Sequence, residues 1–405
     1  MAQSTAALIN KATLKTICEN LQITDSHLAD KAGVKDSSKI AEWLNHSSET
    51  LPTFNQAKKL AKCLNIPLAG LYMNPTDIPM PKLPKVTNRR TFTDGIIGDE
   101  STINLALIDL IRSRDLLLDV KVELNEEIVP FGVIINHREI VKRWAQEIRK
   151  IFNLSLAEQF NITSPRKFYL YVREKVELQG VFIYCFTGVN ITQLRGVAIY
   201  DEKMPIIGIN NNDRPPAKTF TIIHELTHLI KRQSSLCNEF FSDFSNQNEE
   251  IFCNAVAGEV LVPQDALLVK LRSRQSDENI TIGIVESLAN NFCVSKEVIT
   301  RRLLDLDQIS RDVYDAYYDE FRLSYEQEKV EQKAERELAK TEGRSVGIPR
   351  DIVRETIDRT SNALCTTLYK GYNEELFSKL DVCHYLGIKS KHIDKFIGEV
   401  SNWNS

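Results

Sequence analysis

Residues 219–232 read TFTIIHELTHLIKR, from Thr219 to Arg232, and place His224 and His228 four positions apart with Glu225 beside the first. On a helix, positions i and i+4 lie on one face a turn apart, so both imidazoles can reach a single ion. Zinc accepts neutral imidazole nitrogens at about 2.0–2.1 Å, and a catalytic site needs three protein ligands and one open position. Glu225 is turned about 100° around the helix from His224, which suits it to handle the proton of a water better than to bind metal. The competing reading is a chance pair of histidines on an amphipathic helix. The apolar neighbours Phe220, Ile222, Ile223, Leu226, Leu229 and Ile230 argue against it, because unpaired imidazoles on a mainly buried helix are costly.

The pattern is the HExxH arrangement of metallopeptidases, which needs a third ligand from elsewhere. The stretch NEEIFCNAVAGEVLVP, Asn248 to Pro263, has helical apolar spacing through Ile251, Val256, Val260 and Leu261, and Pro263 ends it. Glu250 is the candidate ligand and Glu249 the adjacent alternative. Cys253 and Asn254 fall near the same face as Glu250, and Cys253 reads either as a further ligand or switch or as a small buried hydrophobe.

Three stretches together, TFTIIHELTHLI, the preceding LRGVAIYDEKMPIIGINNNDRPPAK (Leu194 to Lys218) and the following EEIFCNAVAGEVLVP, resemble the ImmA/IrrE family of zinc metallopeptidases. The resemblance implies that His224, His228 and Glu250 bind Zn2+, that Glu225 is catalytic, and that the protein substrate is a helix-turn-helix repressor. It is specific over about residues 190–265.

Composition sets the class. A chain of 405 residues, 42% hydrophobic and 26% charged, holds two to three soluble domains with proper cores. A formal net charge of −4 argues against a globally basic nucleic-acid coat. Eight cysteines without a CxxC pair read as reduced thiols of a cytoplasmic protein. The first residues, MAQSTAALINKATLK, lack a basic segment followed by a long apolar one, and nowhere do about 18 apolar residues run together, so neither secretion nor membrane spanning is expected. The expected fold is α+β and mainly helical. It comprises a helix-turn-helix bundle at 1–73, a proline-rich linker at 74–90, a zincin-like domain with a small sheet at 91–310, a charged helix and link at 311–345, and a small helical unit at 346–405.

Within residues 1–73, ITDSHLADKAGVKDSSKIAEWL (Ile23 to Leu44) has helix-turn-helix spacing, with Ala29 small enough for close crossing and Gly33 permitting the turn. A further amphipathic helix follows from about Thr53 to Leu64. The unit resembles the Xre or Cro class of DNA-binding domains. On that resemblance Asp36, Ser37, Ser38, Lys39, Glu42 and Asn45 face the major groove of double-stranded DNA, with Lys35, Lys58 and Lys59 available to phosphates. Docking of a protein, including a second copy in a homodimer, is the alternative. Eight Lys stand against six Asp and Glu here, a net of only +2, and the reading face lacks Arg and Gln.

From Lys167, FYLYVREKVELQGVFIYCF and GVAIYDEKMPIIGIN are rich in Val, Ile, Tyr and Phe and read as three or four strands punctuated by Gly180, Gly188 and Gly196. Ile206 to Asn210 reads either as a sheet edge that could pair with substrate backbone or as an interior strand. Residues 288–306 repeat a helix-turn-helix pattern capped by Ser295, with packing favoured over phosphate contact by Arg301 and Arg302. His384 and His392 lack accompanying carboxylates and read as structural.

Three functions fit these features. The first is a zinc endopeptidase that removes a partner repressor. The second is the toxin of a toxin–antitoxin pair using the same chemistry. The third is a non-catalytic DNA-binding regulator whose zinc staples two helices, with Cys253 closing the fourth position.

Overall fold

The computed structural model describes residues 5–77, 83, 100–135, 138–237, 247–273, 280–341 and 351–403. Most of the connector expected at 74–90, and the end of the charged link expected at 342–345, therefore lie outside the described residues.

The first four helices are α1 (Lys11–Leu21), α2 (Asp25–Ala32), α3 (Ser38–Leu44) and α4 (Phe54–Cys63). Their ends are set by local chemistry. Asn10 and Thr24 accept from backbone N–H groups at the starts of α1 and α2, Thr53 and Gln56 form a capping box on α4, and Gly33 ends α2 at φ 72°. Leu14, Ile17, Leu28, Ile40, Trp43 and Leu60 form one core. Lys11 donates to the carbonyls of Glu42, Asn45 and Ser48, a cation placed where the α3 carbonyls run out of partners.

Helix α5 (Glu100–Glu123) has two apolar faces. Leu105 and Ile108 join the N-terminal core, while Leu107, Leu110 and Leu117 pack beneath the sheet. Asn104 donates to the Leu21 carbonyl at 2.9 Å and Asn65 donates to Asp109 at 3.1 Å, so polar groups also join α5 to the first helices.

Next come α6 (Val141–Ile151), α7 (Leu156–Asn161) and α8 (Pro165–Glu177). The strand expected from Lys167 is instead this last helix. Ser164 caps it, Pro165 sits in its first turn, and Phe168, Tyr169, Val172 and Val176 recur at helical spacing on its buried face. Its β-branched and aromatic composition yields to that period.

The sheet comprises β1 (Phe182–Phe186), β2 (Gly196–Ile199), β3 (Ile206–Asn210) and β4 (Ser235–Cys237), in the order β1-β3-β2-β4. β1 runs parallel to β3 with Phe182 opposite Ile206, and β2 is antiparallel to both β3 and β4. Ile206 to Asn210 is thus an interior strand and offers no free edge. Strands β1 to β3 are buried throughout because both faces are covered. Ile183, Cys185, Ala198, Ile207 and Ile209 share a core with α8 and with α9 (Pro215–Ile230). Phe182, Tyr184, Phe186, Val197 and Ile199 share the other core with α5 and the C-terminal helices.

After α9 come α10 (Gln247–Leu261), α11 (Gln264–Arg272), α12 (Ile282–Phe292), α13 (Lys296–Asp305) and the long α14 (Arg311–Thr341). The last four are α15 (Ile352–Arg359), α16 (Asn362–Asn373), α17 (Lys379–Leu386) and α18 (Ile393–Ser401). The C-terminal helices are tied to α8 by Arg173, which is fully buried. It pairs with Glu177 at 3.2 Å and donates to the carbonyls of Asp358 and Thr360. The result is a mainly helical α+β protein, and no single helix among the described residues is long and apolar enough to cross a membrane.

Candidate metal centre

Residues 219–230 of α9 are buried without exception. A helix so enclosed must satisfy its polar side chains internally. Thr219, Thr221 and Thr227 donate to the carbonyls of Pro215, Ala217 and Ile223, four residues back, at 2.9, 3.0 and 2.8 Å. His224 and His228 project from one face, with their Nε2 atoms 3.2 Å apart.

Helix α10 crosses that face and brings Glu250 to both rings. Its Oε2 lies 3.3 Å from His224 Nε2 and its Oε1 3.4 Å from His228 Nε2. Four donors around zinc at 2.0–2.1 Å would stand about 3.3–3.4 Å from one another along the edges of a tetrahedron. The three separations of 3.2, 3.3 and 3.4 Å match one triangular face of it, and these are the donor types zinc takes. Among the described residues, His224, His228 and Glu250 form the one group of three such donors with ligand atoms within 4.8 Å of each other. Glu250's carboxyl is held well below the usual carboxylate range: burial opposes its charge, and the two imidazoles outweigh that opposition.

Of the two adjacent glutamates, Glu249 turns away and pairs with Lys231 at 3.0 Å. Ile251, expected on the apolar face, is exposed, and the buried side of α10 is carried by Phe252, Cys253, Val256, Ala257, Val260 and Leu261. Cys253 Sγ lies 3.8 Å from His228 Nδ1, on the side of the ring remote from Glu250. Burial pushes its thiol up and the His228 contact opposes that shift. Lying behind the ring and outside the group of three converging donors, its sulfur is not placed to close a fourth coordination position.

Glu225 faces the sheet. Its Oε2 accepts from Ser235 Oγ on β4 at 2.9 Å, and burial pushes its carboxyl up while His224 and His228 pull it down. Gly196 on β2 makes this approach feasible. A Cβ there would stand 2.4 Å from Thr221 Cγ2 and 2.5 Å from Glu225 Oε1. In the sequence Gly196 reads only as strand punctuation, and nothing marks Ser235 or Lys231, because their roles arise where strands and helices meet.

Lys35, Asp36, Ser37, Ser38, Lys39, Glu42 and Asn45 are exposed along α3 and its approaches, opposite the buried Ile40 and Trp43. Asp36 accepts from the Ser38 N–H at 2.9 Å, which holds its carboxyl below the usual range. Lys58 lies over the Phe54 ring, and Lys59 donates to the Ala32 carbonyl at 3.4 Å. In the second helix pair, α12–α13, Arg302 is buried against Glu259 and donates to the Val262 carbonyl, and Arg301 pairs with Asp305. That pair packs the back of α10.

Two imidazoles from one helix and a carboxylate from the next, beside a buried glutamate, define an HExxH-type centre. Residues 185–304 match the peptidase-family model described as the IrrE N-terminal-like domain. The matched span runs from β1 almost to the end of α13 and contains every residue of the centre. A search of curated proteins gives no match.

Proposed function

We propose that this protein is a zinc-dependent endopeptidase acting as a cytoplasmic regulator, and that it cuts a helix-turn-helix repressor to release the genes that repressor holds. The carrying observation is the convergence of His224, His228 and Glu250 at tetrahedral-edge separations with Glu225 alongside. When bound there, zinc supplies Lewis acidity that acidifies a water and polarises a scissile carbonyl. The remaining work falls to the chain. His224, His228 and Glu250 hold the ion in a buried cradle. Glu225 accepts the proton of the attacking water and returns it to the leaving amine. Ser235 fixes the orientation of the Glu225 carboxylate by donating to Oε2.

The placement of Cys253 behind His228 favours an open, catalytic centre over a structural zinc, which would close its fourth position with a protein donor. The choice of a repressor as substrate rests on the resemblance of the sequence to ImmA/IrrE peptidases. The exposed face of α3 supports double-stranded DNA as a further partner of the N-terminal helices.

The test combines metal analysis with cleavage. Wild-type protein should hold about one zinc per chain, and His224→Ala or His228→Ala should lose it. Glu225→Gln should keep the zinc yet cut at least about 10²-fold more slowly, the scale of a positioned acid–base group. Glu250→Gln should weaken both. Candidate repressors encoded nearby are incubated with each variant, and a discrete cut is scored by mass spectrometry. Cutting by Glu225→Gln at the wild-type rate would refute the mechanism.

A further inference from the structure

Lys231 is the first residue beyond the histidine helix, and its ammonium stands among three side chains from two other segments. It lies 3.0 Å from Glu249 Oε1 on α10, 2.8 Å from Glu139 Oε1 just ahead of α6, and 5.4 Å from the centre of the Phe252 ring. The Lys231 and Glu249 side chains are 15% and 19% exposed, so their ion pair is only partly screened, whereas Glu139 is 55% exposed. Phe252 in turn packs edge-on against Trp144 of α6 at 5.2 Å.

The partner of Lys231 is the immediate neighbour of Glu250. Both glutamates lie in the first turn of α10, which begins at Gln247. First-turn N–H groups have no intrahelical acceptors, so such a turn frays readily unless something holds it. Consecutive helical residues point about 100° apart, so fixing Glu249 on one side fixes the direction of Glu250 on the other. One carboxylate goes to the lysine and the other to His224 and His228.

We propose that Lys231 is a positioning residue of the metal centre: through Glu249 it pins the first turn of the glutamate helix to the end of the histidine helix, so that the three ligands are prearranged before metal arrives. The idea rests on the zinc reading of the centre. It concerns ion binding by this chain and is separable from catalysis. Outer-shell partners of metal ligands commonly affect affinity by about 10–100-fold, and a tie one residue removed belongs at the low end.

The experiment measures zinc affinity of the full chain by competition with a chromogenic chelator, together with the melting temperature of the metal-free protein. Lys231→Met and Glu249→Gln should each weaken zinc binding by roughly 10-fold, and the double variant should be no weaker than about the same 10-fold, because either change alone already breaks the tie. Lys231→Arg, which keeps the cation, should stay within about 3-fold of wild type, and so should Glu139→Gln, whose pair is exposed. Unchanged affinity in Lys231→Met with a lowered metal-free melting temperature would reduce the lysine to ordinary packing and overturn the proposal. A double variant weakened by the product of the two single effects would overturn it as well. A wild-type chain that binds no zinc would remove the metal reading itself, whereas a variant binding zinc as tightly as wild type removes only the tie.

Discussion

Gly196→Ala probes the contact that brings the sheet against the histidine helix. The added methyl would meet Thr221 Cγ2 at 2.4 Å and Glu225 Oε1 at 2.5 Å, where ordinary contact begins at 3.4 Å. One side must therefore yield by about 1 Å, and both obstacles sit on a fully buried helix turn. Overpacking of this kind costs about 1–3 kcal/mol. The more specific consequence falls on Glu225, whose carboxylate is held between Ser235 and β2. A displacement of about 1 Å at a reacting group can cost roughly 10²-fold in rate. The candidate ligands His224, His228 and Glu250 are not among the nearest atoms struck, so zinc should remain. Denaturant unfolding, zinc content and repressor cleavage read the three effects separately. Gly196→Ala with Thr221→Ser removes the clashing methyl while keeping the hydroxyl that bonds Ala217, so it should recover stability without recovering cleavage. A Gly196→Ala protein with wild-type stability and cleavage would refute the close approach and the role given to Glu225's position.

Two further predictions concern the ends of the chain. Arg173→Met should destabilise the protein by about 3–5 kcal/mol, because it strands buried Glu177 and the carbonyls of Asp358 and Thr360; Arg173→Met with Glu177→Leu should recover part of the loss in denaturant titrations. If the exposed α3 face binds duplex DNA, Lys35→Gln with Lys39→Gln should weaken binding by the full chain at low salt and flatten the dependence of log affinity on log salt by about one to two units. Binding of unaltered strength and slope would move the contact elsewhere.

The part of the centre written in a short stretch could be read directly. His224 and His228 share a face because helical geometry fixes positions four apart, and Glu225 cannot share it for the same reason. The helices α2 and α3 and the turn between them were open to reading on similar grounds, through Gly33 and the buried period of Leu28, Ile40 and Trp43. Where two local signals competed, reading failed. Residues 165–177 have a strand's composition and a helix's period, and the cap at Ser164 with Pro165 tips the balance.

What the sequence by itself determined, then, is what consecutive residues enforce on each other: the paired histidines, the glutamate beside them, the helical period and the caps. Tertiary structure alone decided which of Glu249 and Glu250 faces the histidines, that β3 lies inside the sheet, that Gly196 lets β2 meet Glu225, and that α5 serves two cores. The physical reason is that these outcomes depend on contacts between distant segments. Lys231 and Glu249 are separated by an intervening strand, and Arg173 meets carbonyls far along the chain. Such contacts form only when buried area is shared among elements, and no local spacing encodes which elements will share it.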